Sequence, residues 1–211
     1  MTKAILLACG PLSAFVYLTF DLAARAYPGY SYSAQTISEI SAIGAASRPL
    51  AVQIGFAYDI LLIAFAAGLW LVARGPALRI AALALAAIGA LGFAWPPMHM
   101  RGVAFGPQDS MHIIFAGITS LLILIAIISG AAAFGNAFRR YSFATVIVMS
   151  IAGAATGSQA SKIAANLPPP WAGITERIDV GTYLLWVTVL GLMLLRTLRS
   201  PNAEGARLAS Q

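Results

Sequence analysis

Apolar residues along this chain come in long unbroken blocks rather than in the stripes of half-buried elements. Six blocks stand out, at about Ala4–Leu22, Leu50–Val72, Leu78–Trp95, Met111–Phe134, Phe143–Ala160 and Val180–Leu195. Their lengths are close to the roughly 17–25 residues that carry a helix across a bilayer core. No block alternates with the two-residue period of a barrel strand. Backbone amides in hydrocarbon must be satisfied within their own segment, which leaves helices. The fifth block fades into Thr156, Ser158 and Gln159 at its end. The pattern predicts an all-α polytopic integral membrane protein: one bundle of six transmembrane helices over residues 1–199, followed by a disordered cytoplasmic tail at 200–211.

Composition removes the competing readings. Of 211 residues, 60% are hydrophobic and 9% are charged, whereas a soluble domain coats itself with about a quarter charged residues. A net charge of +6 in such a chain reflects the basic bias of inward-facing loops rather than an acidic partner. No basic cluster interleaves with exposed aromatics, so nucleic acid is not expected, and membrane lipids are the expected partners. Nothing in the pattern sets an oligomeric state. The single Cys9 has no partner for an internal disulfide. The N-terminus superficially resembles a signal peptide, and "LLACG" a lipoprotein box. Only five apolar residues precede Cys9, short of the roughly 7–15 of a signal core. An uncleaved first span is expected, in the cell (inner) membrane.

Charge placement orients the bundle. With the N-terminus inside, Lys3, Arg74, Arg79, Arg139, Arg140, Arg196, Arg199 and Arg207 lie inside, and Arg25, Arg48, Arg101, Lys162 and Arg177 outside. Eight against five favours both termini inside. Asp21, Glu39, Asp109, Glu176 and Asp179 then fall outside, with Glu204 inside. The inner connections, "ARGPALR" and "GNAFRRYS", are short and basic. The outer ones are long and hold nearly all the distinctive chemistry.

Three outer segments contain the candidate residues. In "TISEISAIGA", Thr36 and Glu39 have capping-box spacing, in which hydroxyl and carboxylate satisfy the first amides of a helix. Ile37, Ile40 and Ile43 recur about a turn apart, predicting a short amphipathic interfacial helix; Ser38 or Glu39 could instead face a shared pocket. In "WPPMHMRGVAFGPQDSMH", Pro96 and Pro97 end the third span and Asp109 is placed to N-cap the fourth. His112 shares a helical face with Asp109. His99 and Arg101 return from the preceding span, so a general base, a proton relay or part of a metal site is conceivable. The histidines and Asp109, even with Glu39 or Glu176 from other loops, lack a recognisable zinc spacing, and neither a metal nor a cofactor is expected. In "LPPPWAGITERIDVG", prolines make a stiff segment and Trp171 suits the interfacial belt. Glu176 and Asp179 open the sixth span, where acids complement the helix dipole. Arg101 and Arg177 have the side chain that grips a lipid phosphate.

Two features lie within spans. Asp59 sits nine residues past Leu50, ~13 Å deep at about 1.5 Å per residue. Intramembrane acids are functional candidates by default; a protonated, hydrogen-bonded Asp59 is the plain alternative. Gly153 and Gly157 have helix-packing spacing.

Together, "YSAQTISEISAIGA", "WPPMHMRG" with "DSMHIIFAG", and "PPPWAGITERIDVGTYLLWVTVL" resemble the prokaryotic six-span membrane family known as domain of unknown function 998. The likeness runs nearly end to end, although Ile40-Ser41 stands where many relatives carry Leu-Gly. It marks Ser38, Glu39, His99, Arg101, Asp109, His112, Trp171, Glu176 and Arg177 as positions of the family type and as the expected ligand-binding set. It implies fold and topology but no activity. Three functions remain open. The first is non-enzymatic binding or sensing of a lipid or small amphiphile on the outer face, the expected role. The second is a lipid hydrolase or transferase with an Asp109–His112 relay assisted by His99 or Glu39. The third is proton-coupled transport through Asp59.

Overall fold

The computed structural model describes residues 1–165, 167 and 169–199. The tail expected to be disordered, and Asn166 and Pro168 of the proline segment, lie outside the described residues. Helix α1 (Thr2–Leu18) leads into α2 (Phe20–Ala23) and a 3-10 turn (Ala24–Ala26), and α3 is a single turn (Ile37–Ile40). Helices α4 (Arg48–Val72), α5 (Pro76–Gly92), α6 (Pro107–Ala132) and α7 (Asn136–Gly157) follow. A short α8 (Ala160–Ala164) precedes α9 (Ala172–Arg199).

Five stretches are long and apolar enough to cross a membrane: Thr2–Ala26, Arg48–Val72, Pro107–Ala132, Asn136–Ile163 and Ala172–Leu198. A shorter apolar helix, Pro76–Gly92, has 17 residues. The chain is therefore a multi-pass, all-helical membrane protein.

Several boundaries differ from the sequence expectation, each for a local reason. Proline sits in the first turn of α4, α5 and α6, where its missing amide leaves no orphan donor and its fixed φ suits the helix. Helix α6 accordingly begins at Pro107, a turn before the expected Met111, with Gly106 as N-cap. Asp109, expected as N-cap, is the third helical residue and accepts from Gly106 N at 2.9 Å. Helix α9 starts at Ala172 rather than Val180, so Glu176, Arg177 and Asp179 are helical. Helix α7 starts at Asn136, placing Arg139 and Arg140 on a helix rather than in a loop. The first span breaks after Leu18, where the Thr19 hydroxyl donates to Val16 O at 2.6 Å.

The long helices form a closed ring in the order α1, α4, α5, α6, α7, α9, with α9 returning to α1. Between α7 and α9, Trp186 is fully buried and donates from Nε1 to Ser142 Oγ at 3.0 Å. Neither of the two paired glycines is needed for close packing: a Cβ on Gly153 would meet Asp179 Oδ2 at an ordinary 3.4 Å, and Gly157 faces open space. Helix α6 is the odd member of the ring. Its buried residues are confined to its ends, Asp109 and His112 at one and Ala126, Ile127, Gly130 and Ala131 at the other. No residue on the turns between is fully buried, and a cavity lies on their inner side.

Large-to-small changes at a packed aromatic cost about 3–5 kcal/mol. Trp186→Ala is expected to destabilise the detergent-solubilised chain by that order, read as a lower thermal unfolding midpoint. Trp186→Phe, which keeps most of the volume and loses the Ser142 bond, is expected to fall between Trp186→Ala and the parent chain.

Candidate functional site

The long loops meet at one end of the ring, around the single turn α3. Thr36 has extended backbone geometry and caps that turn. The expected capping box forms: Thr36 N donates to Glu39 Oε2 at 2.7 Å and Thr36 Oγ1 at 3.1 Å. The interfacial helix is shorter than its isoleucine spacing suggests. Ile37 and Ile40 are buried, but Ile43 lies beyond the helix and is exposed, its amide donating to Met98 O at 2.8 Å.

Glu39 is 1% exposed, and burying a carboxylate so completely demands a cation and donors. Arg101 supplies both, donating from Nε to Oε1 at 2.6 Å and from Nη2 to Oε2 at 2.8 Å. The same Nη2 reaches Ala34 O at 2.7 Å. Arg101 thus clips the α5–α6 loop onto the α2–α4 loop.

Arg177 performs a second closure. Its Nε and Nη2 hold the Asp21 carboxylate, the closest approach being 2.7 Å, and Nη2 also donates to the Tyr30 hydroxyl at 2.9 Å. Its Nη1 lies 2.9 Å from Tyr32 O, 3.1 Å from Gln35 O and 3.0 Å from Gly173 O. Both Tyr30 and Tyr32 rings lie under the guanidinium. The Tyr30 hydroxyl donates to Thr36 O at 2.7 Å, and burial pushes this phenol up against the opposing pull of Arg177, so it remains a neutral donor at working pH. Gly173 permits the approach: a Cβ there would overlap the carbonyls of Gln35 and Tyr32. Beside it, Glu176 accepts from Ile37 N and, at 3.2 Å, from Ser38 Oγ. Helix α9 therefore satisfies an amide at the start of α3.

The histidines divide differently from their sequence spacing. Asp109 accepts from His99 N at 2.8 Å and faces His99 Nδ1 at 2.9 Å. His112 instead places Nδ1 2.8 Å from Pro96 O and lies edge-on to Trp95. Asp109 and His112, paired in the alternative relay, take different partners: Asp109 sits in the first turn facing its own loop, and His112 turns toward the end of α5. Among the described residues no three His, Cys, Asp or Glu side chains come close enough to hold a metal. Trp171 is exposed at the start of α9.

Below this clasp lies a cavity of about 860 Å³ inside the ring. Of the nine outer residues singled out by sequence, Ser38 and Glu176 line it; Glu39, His99, Arg101, Asp109, His112, Trp171 and Arg177 do not. Trp95 and Pro97 contribute from the middle loop, so all three long segments reach its wall. Asp59 also lines it and is 5% exposed, with no hydrogen-bond partner among the described residues. Sequence reasoning missed Arg48, Thr119 and Asp179, which line the same space. Thr119 Oγ1 is buried without a hydrogen-bond partner among the described residues. Only the acid at 179, bordering the sixth apolar block, carried a signal that sequence could have flagged.

A family model described as "Protein of unknown function (DUF998)" matches residues 8–193, and the chain belongs to that family. No curated protein and no solved structure matches it.

Removing one member of a buried ion pair leaves the other uncompensated, at about 3–5 kcal/mol. Arg101→Ala is expected to destabilise the solubilised chain by that order in thermal unfolding. Adding Glu39→Ala to it is expected to restore part of the loss, since the stranded carboxylate is then gone.

Proposed function

We propose that this DUF998 protein binds a lipid or small amphiphile in the cavity enclosed by its six long helices, reached from the extracytoplasmic leaflet of the cell membrane. In this reading all six helices cross the bilayer, both termini lie inside, and the loop clasp around α3 faces out. The excess of Lys and Arg on the inner segments, eight against five outside, supports that orientation.

The observation that carries the reading is the unpacked middle of α6. Gly117 and Ser120 of α6, and Ser150 and Ala154 of α7, are exposed and also line the cavity. These two helices make the slightest contact around the ring. A gap there faces hydrocarbon, so an acyl chain enters without crossing water. Lining groups are mostly apolar, with Ser38, Ser41, Arg48 and Glu176 toward the loops and Asp59, Thr119 and Asp179 also on the wall. An apolar wall with a few polar groups matches a molecule with a polar group on a greasy body.

The site differs from the one its arginines suggested. Arg101 and Arg177 are committed to Glu39 and Asp21, so they serve as fasteners of the wall, and the polar groups offered to a ligand are those of the cavity. An Asp–His relay acting on lipid finds no support here, since His99, Asp109 and His112 stand outside the cavity lining.

Gly117 provides a clean test, because a side chain built there meets open space. Native mass spectrometry of the wild-type chain is expected to retain a lipid-sized adduct, and Gly117→Trp, which sets an indole on the cavity wall, is expected to lose most of it with the fold intact. An adduct unchanged by Gly117→Trp overturns the reading. For topology, single cysteines in a Cys9→Ala background are expected to label with an impermeant maleimide from outside at Val103 and only from inside at Gly135; the reverse pattern contradicts the orientation.

A further inference from the structure

The cavity's charge points to a ligand class. Asp59 projects from α4 against α5, where its carboxylate lies so close to Gly92 that any Cβ there would overlap it. It is 5% exposed and accepts no hydrogen bond from any described residue. Asp179 of α9 lies against Gly153 of α7, also without a described partner. In such surroundings the charged carboxylate is disfavoured against the protonated acid until a cation or donor arrives.

We propose that the cavity takes a hydrophobic organic cation, a lipophilic amine or quaternary ammonium, with Asp59 as its main counter-charge and Asp179 as a second. This rests on the cavity being a ligand site at all, and adds the sign of the ligand. Three arguments support it. The four charged side chains lining the space are Asp59, Asp179, Glu176 and Arg48, three acids against one base. The base is remote: Arg48 opens α4, eleven residues before Asp59, hence ~16 Å along the helix at about 1.5 Å per residue. Its Nη1 already donates to Ser41 O at 2.6 Å. Glu176 lies toward the same end and is occupied by α3. Asp59 and Asp179 are thus the lining acids without a described partner, while the one lining base is already engaged.

The second argument is aromatic. Tyr17, Phe56, Tyr58, Phe93 and Tyr183 line the same cavity, with Phe56 and Phe93 stacked at 5.4 Å. Aromatic faces attract organic cations, most strongly when desolvated. The third is the buried Thr119 hydroxyl, which lacks a hydrogen-bond partner among the described residues and can accept from an ammonium hydrogen or orient toward a polar substituent. An anionic amphiphile would place its charge among acids and ring faces, which repel it.

The test compares two probes of one shape and opposite charge. Tetraphenylphosphonium and tetraphenylborate are titrated against the full solubilised chain by equilibrium dialysis. The phosphonium is expected to bind saturably and at least about tenfold more tightly than the borate, a difference of about 1.4 kcal/mol. Asp59→Asn is expected to weaken phosphonium binding by about tenfold, Asp179→Asn by less, and Arg48→Gln not at all. Should Asp59→Asn fail to fold, the probe comparison on wild type and Asp179→Asn still decides. Borate binding as tightly as phosphonium, or an affinity unmoved by both asparagine variants, overturns the proposal. If Gly117→Trp loses a retained amphiphile while the cation preference is absent, the charge assignment alone falls. If neither probe binds and Gly117→Trp changes nothing, the cavity reading falls with it.

Discussion

Glu39 is the group on which the loop end of this molecule depends. A carboxylate 1% exposed is tolerable only if every lone pair is answered. Here Arg101, Thr36 and Gln35 answer them. Because Arg101 belongs to a different loop, the electrostatic demand of one buried acid fixes two segments that share no continuous secondary structure. The turn α3 is too short to hold itself together, since helix nucleation is unfavourable and one turn returns little. It exists because Glu39 caps it from within and Glu176 satisfies it from α9.

That dependence explains why charge-rich loops sit above a greasy cavity without filling it. Arg177 and Asp21 close the wall between α2, α9 and the first loop; Asp109 and His99 close the entry to α6. Polar groups are consumed in building the frame, and few are left pointing inward. Among these, Asp59, Asp179 and Thr119 stand out because no described residue partners their side chains. The frame being tied at the loop end, the ring loosens along α6, where no residue between His112 and Ala126 is buried.

The helical architecture was legible because hydrocarbon imposes it: apolar blocks of span length have few other solutions. The box of Thr36 and Glu39 was also legible, since capping is local in sequence. Helix starts were less so, because Pro107 and Ala172 begin helices within polar stretches that read as loop. Partners were the least legible. Arg101 meets Glu39 across 62 positions and Arg177 meets Asp21 across 156, and no local rule joins such residues. Spacing placed Asp109 and His112 on one face, yet the loop's return gave Asp109 to His99 instead. The cavity could not be read at all, because it is set by where α6 and α7 part.

The central claim is that this cavity holds a selected amphiphile rather than bulk lipid. Site-specific photocrosslinking in native membranes tests it most directly, with a benzophenone residue at Ser120, which lines the cavity, or at its neighbour Leu121, which is 59% exposed and outside the lining. Mass spectrometry is expected to show one dominant adduct at Ser120 and the mixed composition of the surrounding bilayer at Leu121. The same bulk mixture at both positions, or no adduct at Ser120, contradicts the account.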